Sequence, residues 1–341
     1  MNQEWNDFLA QQGATSNATE LRFAAPADEV KQAQSGAILV PLTDLGLIRA
    51  SGPDSATFLH NLLTNDVEAL PPDGAGRYGF CTPKGRLLAT FLMWREGDDY
   101  LLAVAADLHA AMLKKLSMYV LRSKVKLTDA SHDRVLLGLA GTQAQTLLGS
   151  FGALPTTSLR TTIVADSCVI RLGEERYLMS IPATQAQTRW SALRAELQPA
   201  GLAAWRWLDI VTGIPQITLA TQEEFTPQMV NYELIGGVSF KKGCYPGQEI
   251  VARTQYLGKV KRRMYRAHLE TGTPAPGNPL FTAETGDQPC GMIVTAAPAP
   301  QGGHDVLAVI QSAYARGAAL HLGSPDGAML QIRPLPYALG D

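Results

Sequence analysis

The sequence predicts an α+β protein that consists of two ferredoxin-like α/β modules and a C-terminal antiparallel β-barrel. Three observations lead to this fold class. A strand–helix–strand pattern occurs twice before residue 262. Short apolar runs, separated by Pro and Gly, follow residue 266. The 341 residues are 46% hydrophobic and 18% charged, which is enough apolar material for two or three domains.

The pattern divides the chain into four segments. The first is mostly polar, and we expect it to be loosely attached, with a short helix at residues 4–12. The segments are an N-terminal extension (1–36), a first ferredoxin-like module (37–132), a second α/β module (133–262) and the β-barrel (263–341).

The first module has the order β-α-β-β-β-α-β, a ferredoxin-like arrangement with one added strand. Asp54 favours the start of the first helix, because a carboxylate stabilises the positive end of the helix dipole. Turns at residues 83–85 and 96–99 separate the central strands. The expected elements are strands at 46–51, 78–82, 87–95, 100–105 and 125–129, and helices at 54–64 and 107–122.

The second module repeats the order of strand, glycine, helix, hairpin and helix, which suggests an internal duplication. Residues 205–212 follow as a helix or a strand, and the barrel strands come after residue 272. The expected elements of the second module are strands at 134–139, 168–172 and 176–181 and helices at 141–148 and 184–197. Those of the barrel are strands at 280–283, 291–296, 306–311, 318–322 and 329–332.

The most informative segment is residues 241–253, where a thiol, two glycines, an amide, a carboxylate and a guanidinium occur close together. Cys244 follows Lys241 and Lys242 and precedes a predicted helix at 247–253. Ammonium groups and helix amide dipoles both favour a thiolate, so Cys244 is a candidate nucleophile, metal or cluster ligand, or redox group. The alternative is a small buried hydrophobic residue, the usual state of a lone cysteine.

Several neighbours of this thiol have two interpretations. Glu249 and Arg253 are four residues apart on one helix face, where they form an ordinary salt bridge or orient a polar ligand. Gly243 and Gly247 are turn residues or points of close backbone approach to a ligand. Trp205 belongs to a core or offers a surface on which a flat heteroaromatic ring stacks.

Charge is unevenly distributed along the chain. The net charge is −2, yet residues 241–266 carry eight basic residues against Glu249 alone. Such a local field attracts a particular anion, whereas the overall charge argues against a general nucleic-acid or membrane-surface protein. The basic residues are Lys241, Lys242, Arg253, Lys259, Lys261, Arg262, Arg263 and Arg266.

Cysteine and histidine spacing predicts no metal site. The four cysteines and six histidines follow no ligand pattern, so we expect reduced thiols and structural or surface histidines. The N-terminus lacks the features of a signal peptide, and no apolar stretch approaches the ~20 residues that span a bilayer. We therefore expect a cytoplasmic protein without a membrane association.

The motif residues resemble those of a known family. Residues 242–245, 247–249 and Arg253 are similar to the signature of YgfZ-type folate-binding proteins, which are relatives of the glycine-cleavage T-protein (aminomethyltransferase). The resemblance covers almost the whole chain. Further matching segments are residues 51–54, 62–67, 225–228, 231, 236–240 and 334–337.

This resemblance implies a fold, a ligand and a role. The modules would be interleaved and closed by the barrel into a three-part ring around a folate-sized cavity. The family takes part in the assembly or repair of iron–sulfur clusters and, through iron–sulfur enzymes, affects tRNA modification. Tetrahydrofolate or a similar anion would be the ligand, iron–sulfur enzymes or assembly proteins the partners, and a cluster would be held only transiently.

The resemblance also assigns roles to individual residues. Cys244 would act at the edge of the folate cavity, and Lys242 would favour its thiolate form. Tyr245 and Gln248 would donate hydrogen bonds to the ligand, and Trp205 would lie beside it.

The remaining assigned residues complete this predicted site. Asn231 and Gln228 are further expected folate-binding residues. Glu249 is expected to hold Arg253 in place, and both are assigned to the reactive site around the thiol.

The sequence departs from the family pattern in three places. The aminomethyltransferases carry an acidic residue near the position of Ala89, where this chain has none, so an aminomethyl or one-carbon transfer is the lesser alternative. Val211 replaces a pterin-binding glutamate and Leu45 replaces an aromatic residue, which weakens folate binding. A tRNA-binding module is a third alternative, although direct nucleic-acid binding is not expected.

Overall fold

The computed structural model describes residues 3–16, 20–256, 258 and 260–339. In this part of the chain groups of one to three strands separate the first seven α-helices, and six strands follow the eighth. The helices are α1 (Gln3–Gln11), α2 (Pro26–Ser35), α3 (Ser55–His60), α4 (Ala106–Ser117), α5 (Thr142–Phe151), α6 (Ala186–Arg194), α7 (Leu202–Val211) and α8 (Gln248–Tyr256). Short 3₁₀ helices are Ala183–Gln185, Leu219–Thr221 and Pro227–Val230.

The strands form a small hairpin, two larger sheets and a closed barrel. They are β1 (Thr15–Ser16), β2 (Leu21–Arg22), β3 (Ile38–Pro41), β4 (Leu45–Ser51), β5 (Ala75–Cys81), β6 (Leu87–Glu96), β7 (Asp99–Ala105), β8 (Lys126–Asp129), β9 (Arg134–Ala140), β10 (Thr161–Val164), β11 (Ser167–Gly173), β12 (Arg176–Pro182), β13 (Gln198–Pro199), β14 (Arg262–Leu269), β15 (Pro279–Phe281), β16 (Gly291–Pro298), β17 (His304–Gln311), β18 (Leu320–Leu322) and β19 (Met329–Arg333).

The two larger sheets repeat one topology. The first has the strand order β5-β6-β7-β4-β8 and the second has β10-β11-β12-β9-β3-β13. In each, an initial strand (β4 or β9) pairs antiparallel with the last of three later strands (β7 or β12). The second sheet differs because β3, which precedes both repeats in the chain, lies between β9 and β13. The arrangement has the repeated order that the sequence predicts.

The C-terminal barrel is closed, with the order β14-β17-β16-β15-β18-β19, and every pair in it is antiparallel. This confirms the predicted barrel. Its apolar interior is formed by Ala267, Leu269, Leu280, Cys290, Ile293, Val306, Ala308, Ile310, Leu320 and Leu330. The sequence did not predict β14, because basic residues conceal the alternation of buried positions in this strand.

The chain divides into two compact units, neither continuous in sequence. The first contains residues 1–59, 67–76 and 91–205, and the second contains residues 60–66, 77–90 and 206–341. The segment boundaries expected at 36, 132 and 262 stay predictions.

The N-terminal extension is attached more firmly than its polar sequence indicates. Trp5 and Leu9 of α1 are buried, and Val30 of α2 is fully buried. The ring of Trp5 meets the ring of Trp190 edge to face at 5.8 Å between centroids. Aromatic burial of this kind dominates local packing energy, so α1 is part of the first unit rather than a loose arm.

Two predicted helices are shorter in the structure. α3 ends at His60 rather than at residue 64, because the carbonyls of His60 and Leu63 accept hydrogen bonds from a lysine side chain instead of continuing the helix. α4 ends at Ser117. The ambiguous segment around residue 205 is helical, as α7. Among the described residues, no helix is both long and apolar enough to cross a membrane.

Candidate functional site

Two buried side chains anchor the motif segment in the second unit. The ammonium group of Lys242 donates hydrogen bonds to the carbonyls of His60 and Leu63, the latter at 2.8 Å. It also lies 4.7 Å from the centroid of the Tyr245 ring. Lys242 and Tyr245 are buried, whereas Cys244 between them is exposed. The local fold therefore holds the backbone on both sides of the thiol and leaves the thiol itself accessible.

Gly247 fits the motif closely against the second unit. Its φ is +82°, and a Cβ at this position would lie 2.4 Å from the carbonyl oxygen of Thr82 and 2.7 Å from Cα of Gly85. No residue with a side chain fits there without a shift of the backbone. α8 begins directly afterwards, where the amide of Gln248 donates to the carbonyl of Tyr245 at 3.1 Å.

Cys244 differs from the other three cysteines, all of which lie in the described part of the chain. Cys81, Cys168 and Cys290 are buried. Burial raises the pKa of Cys81 to about 12 and that of Cys168 to about 12, and it raises the pKa of Cys290 as well. Because a thiolate is the reactive form, these three thiols are inert near neutral pH. Thiol chemistry at the surface of this protein is restricted to Cys244.

His60 is a neighbour of the motif that the sequence did not single out. His60 is buried, and its Nδ1 lies 3.2 Å from Oδ1 of Asp66 without the geometry of a hydrogen bond. A Cβ added to Gly243 would lie 3.6 Å from its Nε2, so the ring faces the backbone next to Cys244. An imidazole near a thiol is a residue type that can accept the thiol proton. The only sequence signal for this pair was that His60 and Asp66 lie six residues apart.

The predicted ion pair between Glu249 and Arg253 is wrong. Both residues are exposed on α8, and neither makes an ion pair or hydrogen bond to another side chain within the described residues. Solvent competes for both charges and the pair gains little, so the helical spacing alone does not bring them together. Their role at the thiol stays a prediction, as does that of Lys242, whose ammonium group is held by backbone carbonyls.

Tyr245 and Gln248 differ in what they offer a ligand. Burial, followed by the nearby Cys81, raises the pKa of Tyr245, so its phenol keeps its proton and remains a hydrogen-bond donor. Its ring is 6% exposed. Gln248 is half-buried, and its side-chain amide makes no hydrogen bond among the described residues. Gln248 therefore has a side-chain amide available to a ligand, whereas the phenol of Tyr245 belongs to a buried residue.

The side chains of Gln228 and Asn231 link separate backbone segments through hydrogen bonds. Nε2 of Gln228 donates to the carbonyl of Val251 in α8 at 2.7 Å, and Nδ2 of Asn231 donates to that of Met264 in β14 at 2.8 Å. Both side chains are fully buried, and Oε1 of Gln228 and Oδ1 of Asn231 have no hydrogen-bond partner among the described residues. Each buried amide therefore uses one of its two N–H groups on a backbone carbonyl, which ties the side chain to the fold.

Trp205 belongs to the first unit and is part of its core. It is 7% exposed, and the guanidinium group of Arg176 lies 4.0 Å from its ring centroid. A Cβ on Gly138 would lie 2.5 Å from the ring, so a glycine is needed beneath it. The surface that a heteroaromatic ligand would use for stacking is covered on one face by Arg176.

Comparison with known proteins identifies the family. The sequence profile of the GCVT N-terminal domain matches residues 5–161. A protein of Sodalis glossinidius (strain morsitans), named tRNA-modifying protein YgfZ, is 31% identical over 309 residues, which cover 89% of this chain and 94% of that relative. The chain belongs to the YgfZ family. A YgfZ relative from Yersinia pseudotuberculosis serotype IB (strain PB1/+) is 32% identical over 308 residues, with 89% and 93% of the two chains covered.

A solved structure confirms the multi-domain fold of this YgfZ-family chain. The aminomethyltransferase T of the glycine cleavage system from Bartonella henselae superposes with a TM-score of 0.79 over 98% of this chain and 97% of that one, at 18% sequence identity. The predicted resemblance to the YgfZ family and to the aminomethyltransferase fold is therefore confirmed.

The stretch of β6 at residues 88–90, where the sequence resemblance predicts an acidic residue, carries none. Leu88 and Ala89 of β6 are buried and apolar. The hydroxyl of Thr90 accepts a hydrogen bond from the amide of Ile217 at 3.1 Å. This stretch of β6 holds neighbouring backbone in place and offers no carboxylate for amine chemistry.

Proposed function

We propose that the protein is an accessory factor in the assembly or repair of iron–sulfur clusters, that it indirectly supports tRNA modification, and that it acts through the thiol of Cys244. The observation that carries this proposal is the exposure of Cys244 in a chain whose other thiols are buried. The name of the YgfZ relatives supports the connection with tRNA modification. A cytoplasmic location and iron–sulfur enzymes or assembly proteins as partners belong to the same proposal.

The residues around the thiol have different roles in this proposal. Lys242 and Tyr245 hold the segment in place, so an incoming group meets a thiol on a positioned backbone. His60, whose Nε2 faces the backbone at Gly243, would accept the thiol proton. A deprotonated thiol can then coordinate iron or attack a sulfur or carbon electrophile. Iron or a cluster would be the cargo of this chemistry rather than a resident cofactor.

Complementation of a cell that lacks its own YgfZ-family protein tests the proposal. Wild type, Cys244→Ala and Gln255→Ala are expressed to equal levels, and the activity of an iron–sulfur enzyme and the tRNA modification that depends on it are measured. Gln255 is exposed on α8 and serves as the matched control. We expect rescue by wild type and by Gln255→Ala and none by Cys244→Ala. Full rescue by Cys244→Ala would remove the thiol from the function.

Tetrahydrofolate is the ligand we propose on the basis of the family and the fold. The residues of this chain fit it only in part. Gln248 is half-buried with a side-chain amide free among the described residues, whereas Gln228 and Asn231 are fully buried and each donates to a backbone carbonyl. Val211 offers no charge to a pterin ring. We therefore assign no step of the function to folate.

Calorimetry with tetrahydrofolate on wild type and on Val211→Glu decides the folate question. Binding by wild type with a dissociation constant in the micromolar range supports folate as the ligand. Binding gained only by Val211→Glu would show that this chain has changed its ligand, and it would leave the role of Cys244 to the complementation test.

Two alternative functions have less support. A one-carbon transferase requires an acidic group where Ala89 lies, and turnover of an aminomethyl donor with tetrahydrofolate would be its test. A tRNA-binding module requires a continuous basic surface. In the basic segment Lys242 is held by carbonyls, Arg263 is paired with Glu233 and Arg266 with Asp305. Lys259 lies outside the described residues.

A further inference from the structure

The outer face of the barrel contains a polar cavity that the proposed function does not use. Its volume is about 290 Å³, at the lower end of the range for small-molecule sites. Strands β14, β17 and β19 and the turn before β17 supply the side chains around it. The lining residues are Arg266, His268, Gln301, Asp305, Arg333 and Pro334.

Two arginine side chains from neighbouring strands line this cavity. The strand register places Arg266 of β14 directly opposite Arg333 of β19. Like charges directly opposite one another destabilise a sheet. Arg333 donates a hydrogen bond to the neutral side chain of Gln331 at 2.9 Å. Within the described residues Arg266 has a carboxylate partner in Asp305, whereas Arg333 has none.

Asp305 balances only part of this charge. Its Oδ2 accepts hydrogen bonds from Nε1 of Trp207 at 3.0 Å and from Arg266 at 3.3 Å, and its Oδ1 lies 2.9 Å from Nδ1 of His268. Asp305 is 5% exposed, so its carboxylate is a buried support that fixes the orientation of Arg266 and His268. Both of its oxygens are already engaged.

Arg266 itself is incompletely satisfied. Its Nε is buried and has no hydrogen-bond partner among the described residues. Two guanidinium groups and an imidazole thus surround the cavity, with one carboxylate beneath them. Guanidinium groups bind carboxylate or phosphate oxygens through paired hydrogen bonds, and those bonds are stronger than bonds between neutral groups.

We propose that this cavity is a binding site for a small dianion, either a phosphate group or a dicarboxylate, which bridges Arg266 and Arg333 beside His268. The bound oxygens would replace the repulsion between the two strands with two charge-assisted contacts. Asp305 is the positioning residue of this site and does not contact the ligand. The proposal is independent of the thiol and of tetrahydrofolate.

Titration calorimetry on the full-length protein at low ionic strength tests the site, with inorganic phosphate and glutarate as separate probes. We expect at least one of them to bind wild type at millimolar concentration or below. Arg333→Gln should weaken that binding by about tenfold or more, because it removes one of the two guanidinium groups. Arg262→Gln, which changes an exposed arginine of the same strand outside the cavity, should bind as wild type does.

The choice of probe identifies the source of the anion. Binding of phosphate alone indicates a phosphate ester, and binding of glutarate alone indicates a dicarboxylate. If neither probe binds wild type, or if Arg333→Gln binds the probe as tightly as wild type, the proposal is wrong.

Thermal unfolding separates a binding role from a structural one. Without an anion, Arg333→Gln should unfold at the same or a higher temperature than wild type, because it removes the repulsion. Added phosphate or glutarate should raise the unfolding temperature of wild type more than that of Arg333→Gln. A variant that is less stable than wild type without anion, and equally stabilised by it, would show that Arg333 is structural and would overturn the proposal.

Discussion

Single residues in the motif show how a side chain can be conspicuous in the sequence and yet act differently from its predicted role. Lys242 lies beside the thiol in sequence, but its ammonium group points to the carbonyls of His60 and Leu63, which precede it by 182 and 179 positions. Spacing along the chain cannot reveal a partner that only the folded second unit brings near. The sequence predicted that Lys242 is important to the motif, but it did not predict which groups its ammonium group contacts.

Replacement of Lys242 by Met tests its anchoring role. The variant keeps the length of the side chain and removes the donors, so the two carbonyls lose their partner in a buried place. We expect the free energy of unfolding to fall by ~1–3 kcal/mol, as measured by urea denaturation. Lys241→Met, at the exposed neighbouring position, should change it by less than ~0.5 kcal/mol. An equal effect of the two substitutions would show that Lys242 has no anchoring role.

Alkylation of the folded protein tests the accessibility of the thiols. Cys244 is exposed, and burial keeps the other three protonated near neutral pH. Iodoacetamide at pH 8 should therefore modify one thiol per chain before unfolding and four afterwards, as counted by mass spectrometry. Cys244→Ser should remain unmodified while folded. Rapid labelling of Cys81 in the native protein would contradict this assignment.

At the scale of elements, regular apolar patterns carried most of the predictable information. Alternating apolar residues and turn residues predicted the barrel and strands such as β4, β7 and β17. Pro246 and the polar residues after it predicted α8. β14 was not predicted, because Arg262, Arg263 and Arg266 conceal its buried positions.

The packing of α8 depends on a glycine at its start. Gly247→Ala would place a methyl group 2.4 Å from the carbonyl of Thr82 at a φ of +82°. We expect a loss of ~1–3 kcal/mol in the free energy of unfolding, because both the contact and the backbone conformation oppose a side chain. The loss should be measured by urea denaturation.

Gly323→Ala is the matched control for this glycine. Its φ of +76° is similar, but no atom lies within 4 Å of the position that a Cβ would occupy. It should therefore lose only the ~1 kcal/mol expected for the left-handed backbone. A loss at Gly247 no larger than at Gly323 would show that the close approach to Thr82 does not constrain the motif.

For the whole molecule, the sequence predicted the fold class and the family, but not how the contacts divide the chain. The repeated order of elements was visible, whereas the insertion of β3 between β9 and β13 was not, because its four fully buried residues show no alternation. The candidate site was located by the motif around Cys244. His60, Asp66 and the backbone partners of Gln228 and Asn231 required the fold, since they come from distant parts of the chain.

The buried thiols predict a loss of stability at alkaline pH. In the unfolded chain a thiol loses its proton near pH ~8.5, whereas Cys81 and Cys168 keep theirs until a pKa of about 12 in the native protein. Between these values the unfolded state binds fewer protons, so the free energy of unfolding falls as pH rises, by ~1.4 kcal/mol per pH unit for each thiol. This contribution is fully present below pH ~8.5.

Urea denaturation between pH 8 and pH 11 measures this dependence in the presence of a reductant. Cys81→Ala should reduce the slope by about one thiol's share. An unchanged slope in that variant would show that Cys81 ionises equally well in the folded protein.

The central claim is that the function depends on the exposed thiol of Cys244. The most direct measurement adds purified protein to an extract of cells that lack their YgfZ-family protein and follows the recovery of an iron–sulfur enzyme. The fraction of Cys244 that has been alkylated beforehand is varied and determined by mass spectrometry. Recovery should decline in proportion to that fraction and disappear when modification is complete. Undiminished recovery with Cys244 fully blocked would contradict the account.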